Sequence, residues 1–185
     1  MDGGEELGAG MSEGQRIPYS LAVVYARDLQ KILTPYCDRI QVAGSIRRQK
    51  ENIGDIEMVV IQKPSLDLFG ELVISAEPVK SALLAAGYIL KLGGNKYLKC
   101  LAGNVQCDIF ITTPEQWGVI YTIRTGSADF SHRLVTPKMH GGLMPSNMRV
   151  KDGRVWIGET VQETREEIDV FNLFGLGWVE PKERL

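Results

Sequence analysis

Two carboxylates stand two residues apart in the segment GDIE at residues 54–57, directly before the apolar run at residues 58–61. An extended strand points residues i and i+2 to the same face, so Asp55 and Glu57 stand side by side at the start of a predicted strand. Paired carboxylates on a rigid strand suit Mg²⁺, a hard cation that keeps some positions for water and phosphate. The alternative interpretation is an ordinary turn followed by a strand with a polar start.

Two further features favour the metal interpretation. The Gly44-Ser45 turn lies upstream, where backbone amides bind anions and a glycine lets a phosphate approach closely. A third carboxylate, Asp108, lies in the strand-like run at residues 105–111, where a charge among apolar residues needs a partner or a metal. Three carboxylates on one sheet face repel each other unless cations hold them. This layout is typical of a nucleotidyl-transfer site.

The elements that position these residues follow from hydrophobic periodicity. Apolar residues at helical spacing between Pro18 and Thr34, with Leu21 and Val24 among them, predict a helix that covers one face of a sheet. Glycine-containing turns separate the later strands, and the last of these strands carries Asp108. We predict strands at 39–43, 55–61, 88–92, 96–101 and 105–112, and helices at 66–75 and 78–86.

A second lobe is predicted after residue 113. Helices are expected through Trp117 and from the 125–127 turn to about residue 138, followed by a hairpin with its turn at Asp152-Gly153. A capping box that starts at Thr164 opens the last helix. We therefore predict a flexible leader at residues 1–15, a first domain at residues 16–113 and a second lobe at residues 114–185.

Composition limits the class of protein. The chain has 185 residues, 44% of them hydrophobic, and a net charge of −2. No run approaches the roughly 20 apolar residues of a membrane span, and the first residues lack a secretory pattern, so we expect a cytoplasmic protein with no membrane partner.

Three cysteines without metal-binding spacing are predicted to be buried free thiols. Residues 116–154 carry a balance of +4, and residues 155–185 a balance of −4.

A set of motifs in fixed order resembles family X DNA polymerases, the group that includes DNA polymerase beta. The resemblance extends from about residue 16 to residue 184. It implies an α+β fold, in which a mixed or antiparallel nucleotidyltransferase palm flanked by helices precedes a small α+β lobe that binds the nascent base pair. The motifs are GSIRR at 44–48, GDIE at 54–57, the strand of Asp108, GVIY at 118–121, TGS at 125–127 and EPKER at 180–184.

The resemblance also implies roles for individual residues. Two Mg²⁺ ions, for which Mn²⁺ can substitute, are held by three carboxylates, one ion by all three and the second by two of them with the triphosphate. Arg133 is the nearest candidate for a DNA contact, and a solvated helix-surface arginine is the alternative. The implied metal ligands and catalytic residues are Asp55, Glu57 and Asp108, and the implied nucleotide-binding residues are Gly44, Ser45, Arg48, Gly54, Thr125 and Gly126.

The implied activity is that of a minimal, monomeric DNA polymerase, which adds deoxynucleotides from their triphosphates to a primer 3′-hydroxyl on gapped or recessed DNA. Because few residues precede Arg16, we expect no lyase activity from this chain. Two departures from the family pattern are Glu57, where Asp is common, and Ile123-Arg124, where an aromatic pair is common. The alternatives are a template-independent nucleotidyltransferase acting on RNA or a small acceptor, and a non-catalytic DNA-binding module.

Overall fold

A computed structural model of the chain describes residues 16–66 and 69–185. The predicted leader at residues 1–15 lies outside the described residues. Strands are labelled in chain order: β1 Ile17–Pro18, β2 Cys37–Val42, β3 Asn52–Ile53, β4 Asp55–Gln62, β5 Ser65–Leu66, β6 Leu72–Val73, β7 Ile89–Gly93, β8 Tyr97–Ala102, β9 Val105–Thr112, β10 Met148–Lys151, β11 Arg154–Ile157 and β12 Thr160–Gln162. Helices are α1 Tyr19–Leu33, α2 Gly44–Arg47, α3 Glu77–Ala85, α4 Trp117–Thr125, α5 Ala128–Val135 and α6 Glu167–Phe174.

The central sheet has five strands in the order β2-β4-β9-β8-β7. β4 and β9 are parallel neighbours, and the remaining pairs are antiparallel. Alternate residues of β4 enter different cores: Met58 and Val60 pack with α1 and α3, whereas Val59 and Ile61 pack with α4. A strand covered on both faces reads as a continuous apolar run, as β4 does after its two acids. This mixed sheet flanked by helices confirms the predicted α+β fold class.

Helix α1 and the meander β7-β8-β9 confirm the sequence predictions. In α1 the predicted apolar residues Leu29 and Leu33 are buried, but the start of the helix buries other residues than those predicted. Leu21 and Val24 are 43% and 52% exposed, whereas Ala22 and Ala26 are buried. The buried residues follow the spacing i, i+4 and so form a stripe along one side of the helix. Alanines in that stripe allow the helix to approach the sheet more closely than large side chains would.

The predicted helix at residues 66–75 is wrong for the described part of that segment. Residues Ser65–Leu66 pair antiparallel with Leu72–Val73 as a short two-stranded sheet. Gly70 adopts a φ of +80°, a left-handed conformation that a continuing α-helix does not contain. Leu66 and Leu72 are 68% and 73% exposed, so this segment has no core-facing stripe to stabilise a helix.

For description, the elements before residue 113 are called the first lobe and those after it the second lobe; the latter are α4, α5, α6 and the antiparallel sheet β10-β11-β12. The β10–β11 pairing confirms the hairpin predicted at Asp152-Gly153. The capping box of α6 joins Glu166 and Asp169, two residues after the predicted start. Thr164 instead binds α4, because its carbonyl oxygen accepts from the Gly118 amide at 2.6 Å.

Two further predictions concern the whole chain. In the part of the chain that the structure describes, no helix combines the length and the apolar character that crossing a bilayer requires. Cys37, Cys100 and Cys107 are buried free thiols, as predicted.

Candidate active site

The strand register brings the three predicted carboxylates together on one face of the central sheet. Glu57 lies opposite Asp108 in the parallel β4–β9 pair, and Asp55 lies opposite Gln106. Because Asp55, Glu57 and Val59 are two residues apart on β4, all three share one face of the sheet. Val59 packs against α4 on that face, so the carboxylates stand on the side of the sheet that meets the second lobe.

The surroundings of Asp55 and Glu57 disfavour the charged forms of these two carboxyls. Burial raises the pKa of Asp55, and the carboxyl of Asp108 raises it further, while Arg48 opposes both effects. Burial and then the charge of Asp55 raise the pKa of Glu57 to about 7, against the opposing charge of Arg124. A carboxylate cluster of this kind is stabilised when a proton or a cation joins it.

Asp108 is held in one orientation by two neighbouring side chains. The Tyr97 hydroxyl donates to Oδ1 at 2.7 Å, and Gln106 Nε2 donates to Oδ2 at 2.8 Å. Tyr97 is stacked on Phe110, with ring centroids 5.2 Å apart. Gln106 lies two residues before Asp108 on β9, so the period of the strand was the sequence signal that could have identified it.

The donor set suits a hard divalent cation, although the side chains do not yet converge on one. Among residues 16–66 and 69–185, no three His, Cys, Asp or Glu side chains are placed to hold a metal ion together. The Glu57 carboxylate lies over Gly44, where an added Cβ would come 1.8 Å from Oε2. Buried carboxylates with raised pKa values provide the hard oxygen ligands that Mg²⁺ prefers.

A cavity of about 640 Å³ opens on the β9 side of the carboxylates, between the central sheet and the second lobe. Glu57, Asp108, Tyr97 and Arg124 line it together with the Asp152-Gly153 turn. The Arg124 guanidinium carbon lies 3.8 Å from the centroid of the Phe110 ring. Its positive charge lies near enough to Glu57 to oppose the rise in the pKa of that carboxyl.

A second cavity, of about 780 Å³, opens on the other side, beside Asp55. Its lining includes three of the predicted nucleotide-binding residues, Ser45, Arg48 and Gly54. Arg16 and Lys50 also line it, and the sequence carried no signal that singled them out. The Ser45 Oγ and Arg48 Nε atoms are buried and have no hydrogen-bond partner among the described residues. Buried polar atoms without partners indicate that a polar ligand can complete this site.

The remaining predicted nucleotide-binding residues lie close to this cavity. Gly44 opens α2 with a φ of +59°, and it leaves room for the Glu57 side chain. Arg48 Nη1 donates to the carbonyl oxygens of Thr125 at 2.7 Å and of Gly126 at 2.8 Å. Burial lowers the pKa of Arg48, while Glu57 and then Asp55 oppose that shift. Arg48 therefore joins the Gly44-Ser45 turn of the first lobe to the Thr125-Gly126 turn of the second.

Arg133 is not brought into this constellation. It is exposed on α5 and lies outside the residues that line the two cavities. Its predicted contact with DNA stays a prediction.

An ion-pair network between the lobes escaped the sequence predictions. Both Arg47 Nη atoms donate to the Glu167 carboxylate, at 2.8 and 2.6 Å, and Arg184 donates to the same group. The Glu167 side chain is 7% exposed, and Arg184 is fully buried. A second pair joins Arg39 to Glu166 through two hydrogen bonds of 2.7 Å. Arg47 and Glu167 are 120 positions apart in the sequence, and Arg39 and Glu166 are 127 positions apart. Local sequence patterns therefore contain no signal for these two pairs.

Comparison with known proteins places this geometry in a known fold. No family model matches the sequence, and no curated protein matches it. Among solved structures, the chain is similar to polymerase beta from Leishmania infantum in a ternary P/T complex, with 16% identity and a TM-score of 0.73. The alignment covers 94% of this chain and 78% of that one. The chain therefore has a polymerase-beta-like fold.

Proposed function

We propose that this protein is a nucleotidyltransferase that extends a DNA primer, adding deoxynucleotides to its 3′-hydroxyl on gapped or recessed DNA. The observation that carries the proposal is the shared face of the β4–β9 pair, where three carboxylates lie between two cavities, Glu57 and Asp108 lining one and Asp55 lining the other. The cavity beside Ser45 and Arg48 has the cations and unpartnered polar atoms that a triphosphate needs. The polymerase-beta-like fold supports the same reaction class, and the DNA in the proposal rests on that likeness.

Asp55, Glu57 and Asp108 would hold two Mg²⁺ ions, with Mn²⁺ as a substitute. Bound there, the ions would lower the pKa of the primer hydroxyl and stabilise the negative charge on the phosphoryl group. The raised pKa values of Asp55 and Glu57 support this assignment, because burial and then the neighbouring carboxylate raise them, and a divalent cation bound between the carboxylates offsets both effects. Arg124 provides a positive charge near Glu57 in the absence of ions.

The side chains of the protein would bind the triphosphate and orient the primer hydroxyl. Ser45, Arg48 and Arg16 line one cavity and would bind the triphosphate, with Arg48 also holding the Thr125-Gly126 turn beside the sugar. Asp108 would orient the primer hydroxyl from the other cavity and accept its proton. Its hydrogen bonds from Tyr97 and Gln106 preorganise the carboxylate for that role.

We also propose that the two lobes divide near residue 113. One hydrophobic core contains buried residues from Ala22 to Ile109, and another contains residues from Val119 to Phe174. A third cluster, which includes Val59 and Trp117, joins them beside the carboxylates. This division supports a palm at residues 16–113 and a smaller lobe at residues 114–185, with the site between the two.

The test is Mg²⁺-dependent extension of a labelled primer on one-nucleotide-gapped DNA, with each deoxynucleotide supplied alone. We expect addition of the templated base, and we expect Asp108→Ala to abolish it while the circular dichroism spectrum stays unchanged. Untemplated addition would indicate a terminal transferase instead. DNA binding without any addition would indicate a non-catalytic module, and near-normal turnover of Asp108→Ala would refute the assigned role of that carboxylate.

A further inference from the structure

The outer face of the small sheet β10-β11-β12 has no role in the site described above. Met148, Val150 and Val155 turn inward and pack in the core of the second lobe. Side chains alternate along strands, so the intervening residues form the opposite face. The register confirms this, because Arg149 lies opposite Trp156 and Lys151 lies opposite Arg154. We call these four residues, Arg149, Lys151, Arg154 and Trp156, the outer platform.

The outer platform combines positive charge with an aromatic ring. Arg149, Lys151 and Arg154 are exposed, and Trp156 lies half-buried among them. The Arg149 guanidinium carbon lies 5.3 Å from the centroid of the Trp156 ring, which places a planar cation against the indole. Glu159 is the acid paired with Arg149, at 3.3 Å, and its side chain is 91% exposed. A pair this exposed is held weakly, so a polyanion can replace Glu159 at little cost.

The outer platform begins at the rim of the cavity that contains Asp108. Asp152 and Gly153, which join β10 to β11, line that cavity. Gly153 has a φ of +76°, and an added Cβ would come 3.2 Å from Ile120 Cδ1, so the turn packs closely on α4. A nucleic-acid strand that leaves the cavity past this turn therefore meets the cations and the indole ring on the outer face.

We propose that the outer platform binds single-stranded nucleic acid outside the active site. Cations that track a backbone beside an aromatic ring are the recurring elements of single-strand recognition, because every base can stack on an aromatic face. A duplex keeps its bases stacked on each other and leaves none free for Trp156. This binding goes beyond the proposed function, since it needs neither the carboxylates nor a nucleotide.

The test measures fluorescence anisotropy of a labelled oligothymidylate of about 16 nucleotides with the full chain, without Mg²⁺ or nucleotide. Titrations between about 50 and 200 mM salt give the slope of log K against log salt. We expect the triple variant Arg149→Gln/Lys151→Gln/Arg154→Gln to reduce that slope by about 2, since each phosphate contact on a single strand contributes about 0.7. We expect Trp156→Leu to weaken binding about tenfold with the slope unchanged, and Trp156→Phe to restore most of it.

The matched control removes three exposed lysines elsewhere, in the variant Lys31→Gln/Lys91→Gln/Lys182→Gln, and so changes the net charge equally. We expect that control to bind more tightly than the platform variant. Equal affinities would overturn the proposal, as would a wild-type protein that does not bind the oligonucleotide. The same losses with blunt duplex DNA would overturn the single-strand assignment. A labelled oligoglutamate that binds equally well, insensitive to Trp156→Leu, would assign the surface to an acidic peptide instead.

Failure of the proposed enzyme and failure of this surface are distinguishable. Asp108→Ala leaves the outer platform intact, so it should bind the oligonucleotide as the wild type does. A protein without extension activity whose single-strand binding still depends on Trp156 would refute the enzyme and retain the surface.

Discussion

The buried ion pairs of Glu167 lead to a sharp prediction about stability. Glu167 accepts from Arg47 and from Arg184, whose side chains are 20% and 0% exposed. Burial lowers the pKa of Arg184, and Glu167 opposes that effect. Glu167→Gln keeps the shape of the side chain but leaves buried positive charge without a counter-ion.

Breaking a buried ion pair in this way costs about 3–5 kcal/mol. In a chain of this size a loss of about 4 kcal/mol lowers Tm by about 8–16 °C. The adjacent residue provides the control, because Glu166 pairs with Arg39 through side chains that are 55% and 33% exposed. An exposed pair contributes about 1 kcal/mol or less, so Glu166→Gln should lower Tm by only a few degrees.

Thermal unfolding followed by circular dichroism measures both variants under identical buffer conditions. The double variant Glu167→Gln/Arg184→Met should recover part of the lost stability, because it also removes the more deeply buried of the two uncompensated charges, while that of Arg47 remains. If Glu167→Gln melts within a few degrees of Glu166→Gln, the network does not stabilise the folded protein and this reasoning is refuted.

Three further predictions concern the site. The pKa of Glu57, about 7 in the folded protein, exceeds its ordinary value of 4.5. This group should therefore stabilise the metal-free protein most below about pH 4.5, and the free energy of unfolding should fall by about 3 kcal/mol as the pH rises through 7. Urea unfolding in EDTA should show no such fall for Glu57→Gln, and a pH profile identical to that of the wild type would contradict the prediction. Gly44→Ala should destabilise the protein by about 2 kcal/mol more than Gly103→Ala, because both have a φ of +59° but only at Gly44 would the added methyl group overlap a packed side chain, that of Glu57. Equal melting temperatures would contradict this steric argument. Arg48→Ala should raise KM similarly for all four deoxynucleotides in steady-state extension assays, since it acts on phosphate charge; a loss confined to one base would oppose that role.

Local sequence was sufficient for much of the fold. The meander of β7 to β9 and the hairpin at Asp152-Gly153 were predictable, because turn residues with special backbone conformations separate short apolar runs. The helix at 66–75 was not, since Leu66 and Leu72 are exposed and belong to two short strands that pair with each other. The second half of α1 was predictable, since Leu29 and Leu33 are buried. Its first half was not, since Ala22 and Ala26 are buried in place of Leu21 and Val24, and periodicity alone does not choose between neighbouring stripes of similar polarity.

The sequence by itself determined that Asp55 and Glu57 share one face, because the period of a strand requires it. It also determined a third carboxylate within a buried strand. Only the tertiary structure decided that β9 pairs parallel with β4, which sets Asp108 opposite Glu57. Tertiary structure likewise decided that Arg47 meets Glu167 and that Arg48 meets the Thr125-Gly126 turn. These contacts join segments about 50 to 120 residues apart, and chain folding, not local periodicity, selects such partners.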